Sequence, residues 1–180
     1  MTFATLLSLM EESSAVRSYS CLMLDCKFLA SHLAELQSHI DPDDVYDDEP
    51  GHGLENEPHI TVLYGLHTQQ ASDVFGKIEF KPCQFTIKGI SSFNNEKFDV
   101  LKFDIESKDL RKYNKQVCDL LPYTNKYTDY KIHSTIAYLR PGTAKKYIKS
   151  LKCNLRGKSL TSDTFVFSTP MSNKTYFVAR

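Results

Sequence analysis

EPHITVLYGL, residues 57–66, sets a histidine and a threonine two apart within an otherwise apolar run. Strand side chains alternate in direction, so the spacing predicts His59, Thr61 and Leu63 on one face and Ile60, Val62 and Tyr64 on the other. The second is a good core face. The first brings an imidazole and a hydroxyl roughly 7 Å apart along the backbone. One H-x-T is a weak signal, because a strand histidine often has a hydroxyl two residues away. A second copy makes it strong: KIHSTIAYLR at 131–140 matches His59 with His133, Thr61 with Thr135 and Tyr64 with Tyr138.

The surroundings of the two copies run in the same order. In the first half, YSCLMLDC (19–26) reads as a buried strand and KFLASHLAELQSHI (27–40) as a helix, followed by an acidic loop at 41–57. In the second, FDVLKFDIES (98–107) alternates as a strand and KDLRKYNKQVCDLL (108–121) has helical spacing, stopped by Pro122 and followed by the polar loop PYTNKYTDY. CQFTIKGISSF (83–93) reads as a further strand, joined to 98–107 by an NNEK turn. Residues 68–77 suggest a short helix with Thr68 as cap, and TAKKYIKSL a helix capped by Thr143. The tail 162–180 reads as two strands joined by Pro-Met-Ser-Asn. The repeat is too long for a solenoid and predicts two pseudo-symmetric lobes, about 18–80 and 98–152, within a single 1–180 domain.

Length and a 41% hydrophobic content suit one domain with a sizeable core. No apolar run reaches a membrane span, and the start (1–18) reads as a short amphipathic helix without the basic region of a signal peptide. Five scattered cysteines with no C-x-x-C pair support neither a disulfide framework nor a zinc site, which favours a reducing, cytoplasmic setting. The zero net charge hides an asymmetry: residues 1–57 carry 2 basic and 12 acidic side chains, the remainder 20 and 10. The basic block at 126–158 reads either as an attractor for a phosphate-bearing ligand or as a solvated helix face. The acidic loop lacks an EF-hand spacing and reads as a mobile lid or solvated edge, with most carboxylates turned away from an anionic substrate.

Two imidazoles and two hydroxyls facing one cleft make a kit for phosphodiester chemistry. One imidazole, neutral, accepts a proton from the attacking oxygen, while the other, charged, donates one to the leaving oxygen. Thr61 and Thr135 donate hydrogen bonds to the phosphate oxygens. Lys131 faces with His133 and is a candidate phosphate contact; its counterpart Glu57 is a candidate for orienting an imidazole. Tyr64 and Tyr138 read as packing residues that reach the cleft only if their strands bend. His32, His39, His52 and His67 carry no motif, and two histidines without a third ligand do not complete a zinc site, so no metal and no cofactor are expected.

PHITVLYGL and IHSTIAYL, 74 positions apart, together with the duplicated element order, resemble the two-histidine (2H) phosphoesterase superfamily, which includes the 2′-5′ RNA ligase-like and cyclic phosphodiesterase proteins. The resemblance covers residues 18–180. It implies a bilobal α+β fold with antiparallel sheets around a central groove and helices outside. It also implies His59 and His133 as the acid/base pair and Thr61 and Thr135 as the phosphate-binding hydroxyls. The implied activity is metal-independent cleavage of a nucleotide or oligonucleotide phosphodiester: a 2′,3′-cyclic phosphate, a 2′-5′ link or a cyclic oligonucleotide signal. The family includes viral and phage proteins that destroy a host's nucleotide messengers, and a short chain is compatible with that setting and with the host cytoplasm. Neither a membrane nor a stable protein partner is expected. The alternative is a non-catalytic nucleotide- or RNA-binding module using the same groove.

Overall fold

A computed structural model of the chain describes residues 19–125 and 129–180; the N-terminal amphipathic helix expected from the sequence lies outside them. In chain order the elements are β1 (Ser20–Asp25), α1 (Ala30–Gln37), β2 (His59–Leu66), α2 (Ser72–Phe75), β3 (Cys83–Asn94), β4 (Asp99–Glu106), α3 (Lys108–Leu120), β5 (His133–Leu139), α4 (Ala144–Ser150), β6 (Ser159–Ser162), β7 (Thr164–Ser168) and β8 (Lys174–Val178). They form two antiparallel four-stranded sheets, ordered β2-β1-β7-β8 and β5-β4-β3-β6. The two H-x-T strands are therefore the equivalent outer strands of the two sheets, and they lie against each other. The fold is α+β and bilobal.

Each sheet buries one face. Leu22, Leu24, Ile60 and Phe165 of the first join Ile87, Leu101, Phe103 and Ile136 of the second in one continuous core, covered by Leu33 of α1 and by Leu110 and Val117 of α3. Burying these side chains supplies the main driving force for folding, at roughly 25 cal/mol per Å² of apolar surface removed from water. Ser107 starts α3 by accepting from the Leu110 amide at 3.1 Å, and its hydroxyl donates to the Gln84 carbonyl.

Both H-x-T strands carry a β-bulge at the same place. Thr61 lies opposite Met23 but Leu63 opposite Leu22, so Val62 is the extra residue of β2. Thr135 lies opposite Lys102 but Ala137 opposite Leu101, so Ile136 is the extra residue of β5. An extra residue re-phases the alternation. This corrects the facing expected from period two: Leu63 is buried and Tyr64 exposed, while Ala137 is buried and Tyr138 half-buried.

A bulge leaves a carbonyl without its ladder partner, and here each is satisfied from the other half of the chain. The Asn114 side-chain amide of α3 donates to the Val62 carbonyl at 2.8 Å, and the Gln37 amide of α1 donates to the Ile136 carbonyl at 2.8 Å. The loops after these helices cross over in the same way. Residues 41–57 run along the outer edge of β5, where Tyr46 donates to the Tyr138 carbonyl, Glu55 to Ile136, and Tyr138 to Gly53. Residues 121–125 run along β2, where Thr124 donates to the Gly65 carbonyl and His67 to Pro122. The acidic loop is thus a hydrogen-bonded strap on a strand edge rather than a solvated edge.

Three local readings differ from the sequence expectation. α4 is not capped by Thr143, whose hydroxyl donates to the Arg140 carbonyl. The buried Asp99 carboxylate does that work from β4, accepting from the amides of Gly142 and Ala144. Thr68 accepts from the Gln70 amide and donates to Asp73 in a turn that precedes the one-turn α2. β6, a short polar edge strand, adds to the two strands read in the tail.

Gly65 has φ +97°, and a Cβ there would sit 1.9 Å from the Thr124 carbonyl oxygen. Gly65→Ala is expected to lose about 1–3 kcal/mol from backbone strain alone, with more from displacing 121–125, read as a lower urea midpoint. Asn114→Ala strands the Val62 carbonyl and is expected to cost about 1–3 kcal/mol in the same assay, whereas substitution of the exposed Lys115 beside it should leave the midpoint unchanged.

Candidate active site

Opposite the core face, each sheet presents three rows of side chains that can be read from the strand pairing. In the first sheet these are His59–Asp25, Thr61–Met23–Val166–Tyr176, and Tyr64–Cys21–Ser168–Lys174. In the second they are His133–Asp104–Gly89, Thr135–Lys102–Ser91, and Tyr138–Val100–Phe93. Histidine, threonine and tyrosine thus occupy equivalent places in both, and an aspartate stands directly across the strand pair from each histidine.

The two imidazoles are oriented alike. His59 Nδ1 lies 2.8 Å from the Glu57 carbonyl and His133 Nδ1 lies 2.7 Å from the Lys131 carbonyl. A carbonyl can only accept, so each Nδ1 carries the hydrogen and Nε2 is left for proton transfer. Glu57 and Lys131 therefore bear on the histidines through their backbones. The Glu57 carboxylate pairs with Lys174, which holds it below the usual carboxylate range, and the Lys131 side chain is exposed. Thr61 and Thr135 are half-buried, and the Tyr130 hydroxyl donates to the Thr61 carbonyl across the join between the halves.

The surroundings of the two histidines differ. His59 has the Glu55 carboxylate 3.8 Å from Nδ1. Burial holds His133 below the ordinary histidine value, and the positive charge of Lys102 and the presence of His59 push the same way. The Lys131 carbonyl and the Asp104 carboxylate pull against them. The Phe93 ring meets the His133 ring edge-on at 5.0 Å. His59 and His133 stand on β2 and β5, the two strands that lie against each other.

A cavity of about 340 Å³ opens beside His59. Met23 and Val166 contribute apolar surface, Tyr176 and Lys27 one side, and Asn56 and Tyr138 the strap side. Lys27 lies 5.0 Å over the half-exposed Tyr176 ring. Among the described residues, no three His, Cys, Asp or Glu side chains are grouped to hold a metal ion, and no helix is long and apolar enough to cross a membrane.

Several residues at the groove escaped the sequence reading as site residues. Asp25, Asp104 and Lys102 carry a signal in hindsight, because LMLD (22–25) and LKFD (101–104) are themselves a repeat that precedes the two H-x-T strands. Glu55 carries none, since it reaches His59 only because the strap turns there. Most other acidic side chains do turn away, as expected: Asp44 pairs with Lys146, Asp48 with Arg140 and Glu49 with Lys97.

No protein-family model and no curated protein matches the sequence. Solved structures do match the fold. Usb1 of Kluyveromyces marxianus superposes with a TM-score of 0.53 at 8% identity over 92% of this chain and 100% of its own. Escherichia coli LigT complexed with phosphate gives 0.54 at 11% identity over 90% and 94%, and LigT complexed with 3′-AMP gives 0.55 at 12% over 90% and 95%. These are two-histidine phosphoesterases. The two antiparallel sheets with their H-x-T strands side by side give this chain the bilobal α+β fold of the two-histidine phosphoesterase superfamily.

Proposed function

We propose that the chain is a metal-independent phosphodiesterase that cleaves a nucleotide phosphodiester using His59 and His133 as the proton-transfer pair and Thr61 and Thr135 as phosphate-binding hydroxyls. The observation that carries this reading is the pairing of two histidines, each with Nδ1–H held by the carbonyl two residues earlier, each followed by a threonine on the same face. A satisfied structural histidine does not require that arrangement twice. The fold likeness to LigT, solved with phosphate, with ATP and with 3′-AMP, supports it further.

The chemistry follows from the groups. A hydroxyl neighbouring the phosphate, or water when the substrate is already a cyclic phosphate, attacks phosphorus as one imidazole takes its proton. Charge gathers on the non-bridging oxygens, where two threonine hydroxyls aimed at one phosphate are worth more than they are in bulk water. The second imidazole protonates the leaving oxygen, so no free alkoxide forms. Two histidines on opposed strands can serve both sides of the phosphorus without a Lewis acid. The cavity beside His59 lies within the range of about 300–1,000 Å³ usual for small-molecule sites and suits one nucleoside.

The substrate class is to be found by a product screen across 2′,3′-cyclic phosphates, 2′-5′ linked dinucleotides and cyclic di- and trinucleotides; turnover of the last would fit a role against host nucleotide signals. His59→Ala and His133→Ala are each expected to lower turnover by about 10²–10⁴-fold while the proteins keep their native circular dichroism. Undiminished turnover in either variant overturns the assignment, and abolition of wild-type activity by a chelator overturns metal independence. Saturable binding of a nucleotide with no product from any substrate would favour the binding-module reading.

A further inference from the structure

The two sheets match at the histidine, threonine and tyrosine that head each row and at the aspartate across from each histidine; of the rows that differ beyond these, the middle one differs in charge. Beside Thr61 the first sheet places Met23 and Val166; beside Thr135 the second places Lys102 and Ser91. Lys102 is only 4% exposed. Its ammonium lies 2.7 Å from Ser91 Oγ, 2.5 Å from Asp104 Oδ1 and 4.2 Å from the centre of the Phe93 ring, the ring that packs edge-on against His133. The middle row is thus apolar beside Thr61 and carries the Lys102–Asp104 ion pair beside Thr135.

The buried ammonium of Lys102 has a carboxylate, a hydroxyl and an aromatic face around it, the partners a buried cation requires. The groups facing His133 are Lys102 and Asp104 from β4, Ser91 and Phe93 from β3, and His59 from β2. Asp104 also accepts from the Ser91 hydroxyl and so serves two donors; Asp25 likewise accepts from the Lys27 amide and pairs with its ammonium. The groups facing His59 are Asp25 from β1, Lys27 beyond it, Glu55 and Glu57 from the strap, Lys174 from β8, and His133. An imidazolium at either place has an aspartate across the strand pair, Asp25 or Asp104, each also engaged by a lysine; His59 has the Glu55 carboxylate in addition, and His133 has the Lys102 ammonium beside Asp104.

We propose that Lys102 is a positioning residue that gives the groove a direction, keeping His133 deprotonated so that it acts as base while His59 acts as acid. This rests on the phosphodiesterase reading. The attacking hydroxyl loses its proton to His133 Nε2 as its oxygen bonds to phosphorus. The bond from phosphorus to the leaving oxygen breaks as that oxygen takes the proton of His59 Nε2. The products are a cyclic phosphate and a free alcohol, with one proton transferred between the histidines and returned through solvent. The leaving nucleoside then departs on the side of the cavity lined by Met23, Val166 and Tyr176. The lowered titration of His133 agrees with this polarity.

Two measurements test it. In the first, ring-proton NMR follows the titration of His133, assigned with His133→Ala. Lys102→Met, which installs the residue of the equivalent place in the first sheet, should raise the midpoint by on the order of one unit. Lys102→Arg should leave it in place, and Asp104→Asn should lower it. A midpoint unmoved in folded Lys102→Met overturns the proposal, and if that protein does not fold, a midpoint unmoved or raised in Asp104→Asn does so. In the second, a dinucleotide whose bridging 5′ oxygen is replaced by sulfur supplies a leaving group that needs no acid. His59→Ala should recover cleavage of this probe and His133→Ala should not; the reverse pattern overturns the direction. If the wild type cleaves no diester, the phosphodiesterase reading falls, and the NMR titration still decides whether Lys102 controls His133.

Discussion

The carbonyls of Val62 and Ile136 are the points on which the rest of the molecule turns. Each belongs to the extra residue of a bulge and each accepts from a side-chain amide of a helix in the opposite half, with the Glu55 backbone amide a second donor to Ile136. An unsatisfied buried carbonyl costs about 1–3 kcal/mol, so the helix amides favour the bulges, at Ile136 together with the strap. The bulge in turn decides what each strand shows to the groove. Without it, leucine and alanine would follow the threonine on the groove side; with it, tyrosine does. Helix placement, strand phase and the lining of the site are thus one coupled arrangement, present twice.

What the sequence made legible follows from the range of the interactions involved. The H-x-T pair, the strand–helix–loop order and the core faces rest on local periodicity, and they could be read directly. The re-phasing at Val62 and Ile136 could not, because the residues that require it, Asn114 and Gln37, lie 52 and 99 positions away. The cap of α4 failed for the same reason: Thr143 looked sufficient until Asp99 arrived from another strand. Tyr64 and Tyr138 were read as packing residues on a strict period of two, and they changed face with the bulge. The alternation of 98–107 puts Lys102 and Asp104 on one face, but that this face lines the groove follows only from the sheet order.

The charge asymmetry has a simpler explanation than ligand attraction. The acidic strap lies along the edge of β5, beside the basic block, and Asp44–Lys146 and Asp48–Arg140 tie the two together, with Glu49–Lys97 and Glu57–Lys174 anchoring the strap elsewhere. Exposed pairs of this kind contribute little individually, yet they neutralise a block that would otherwise dominate the field around the groove. The charge near the histidines is then left to a few groups, the Lys102–Asp104 pair on one side and Asp25, Lys27 and Glu55 on the other.

The crossed amides carry a consequence for descent. A half-molecule alone would hold out a helix amide with nothing to receive it and a bulge with nothing to satisfy it. Two such halves related by a twofold axis would complete each other, as the faces of an isologous dimer do, with residue i of one meeting residue j of the other and the reverse. Joined in one chain, the halves no longer depend on concentration to meet, and each is free to drift from its twin. On such a descent, the methionine and lysine at equivalent places in the two sheets are where the halves have drifted apart.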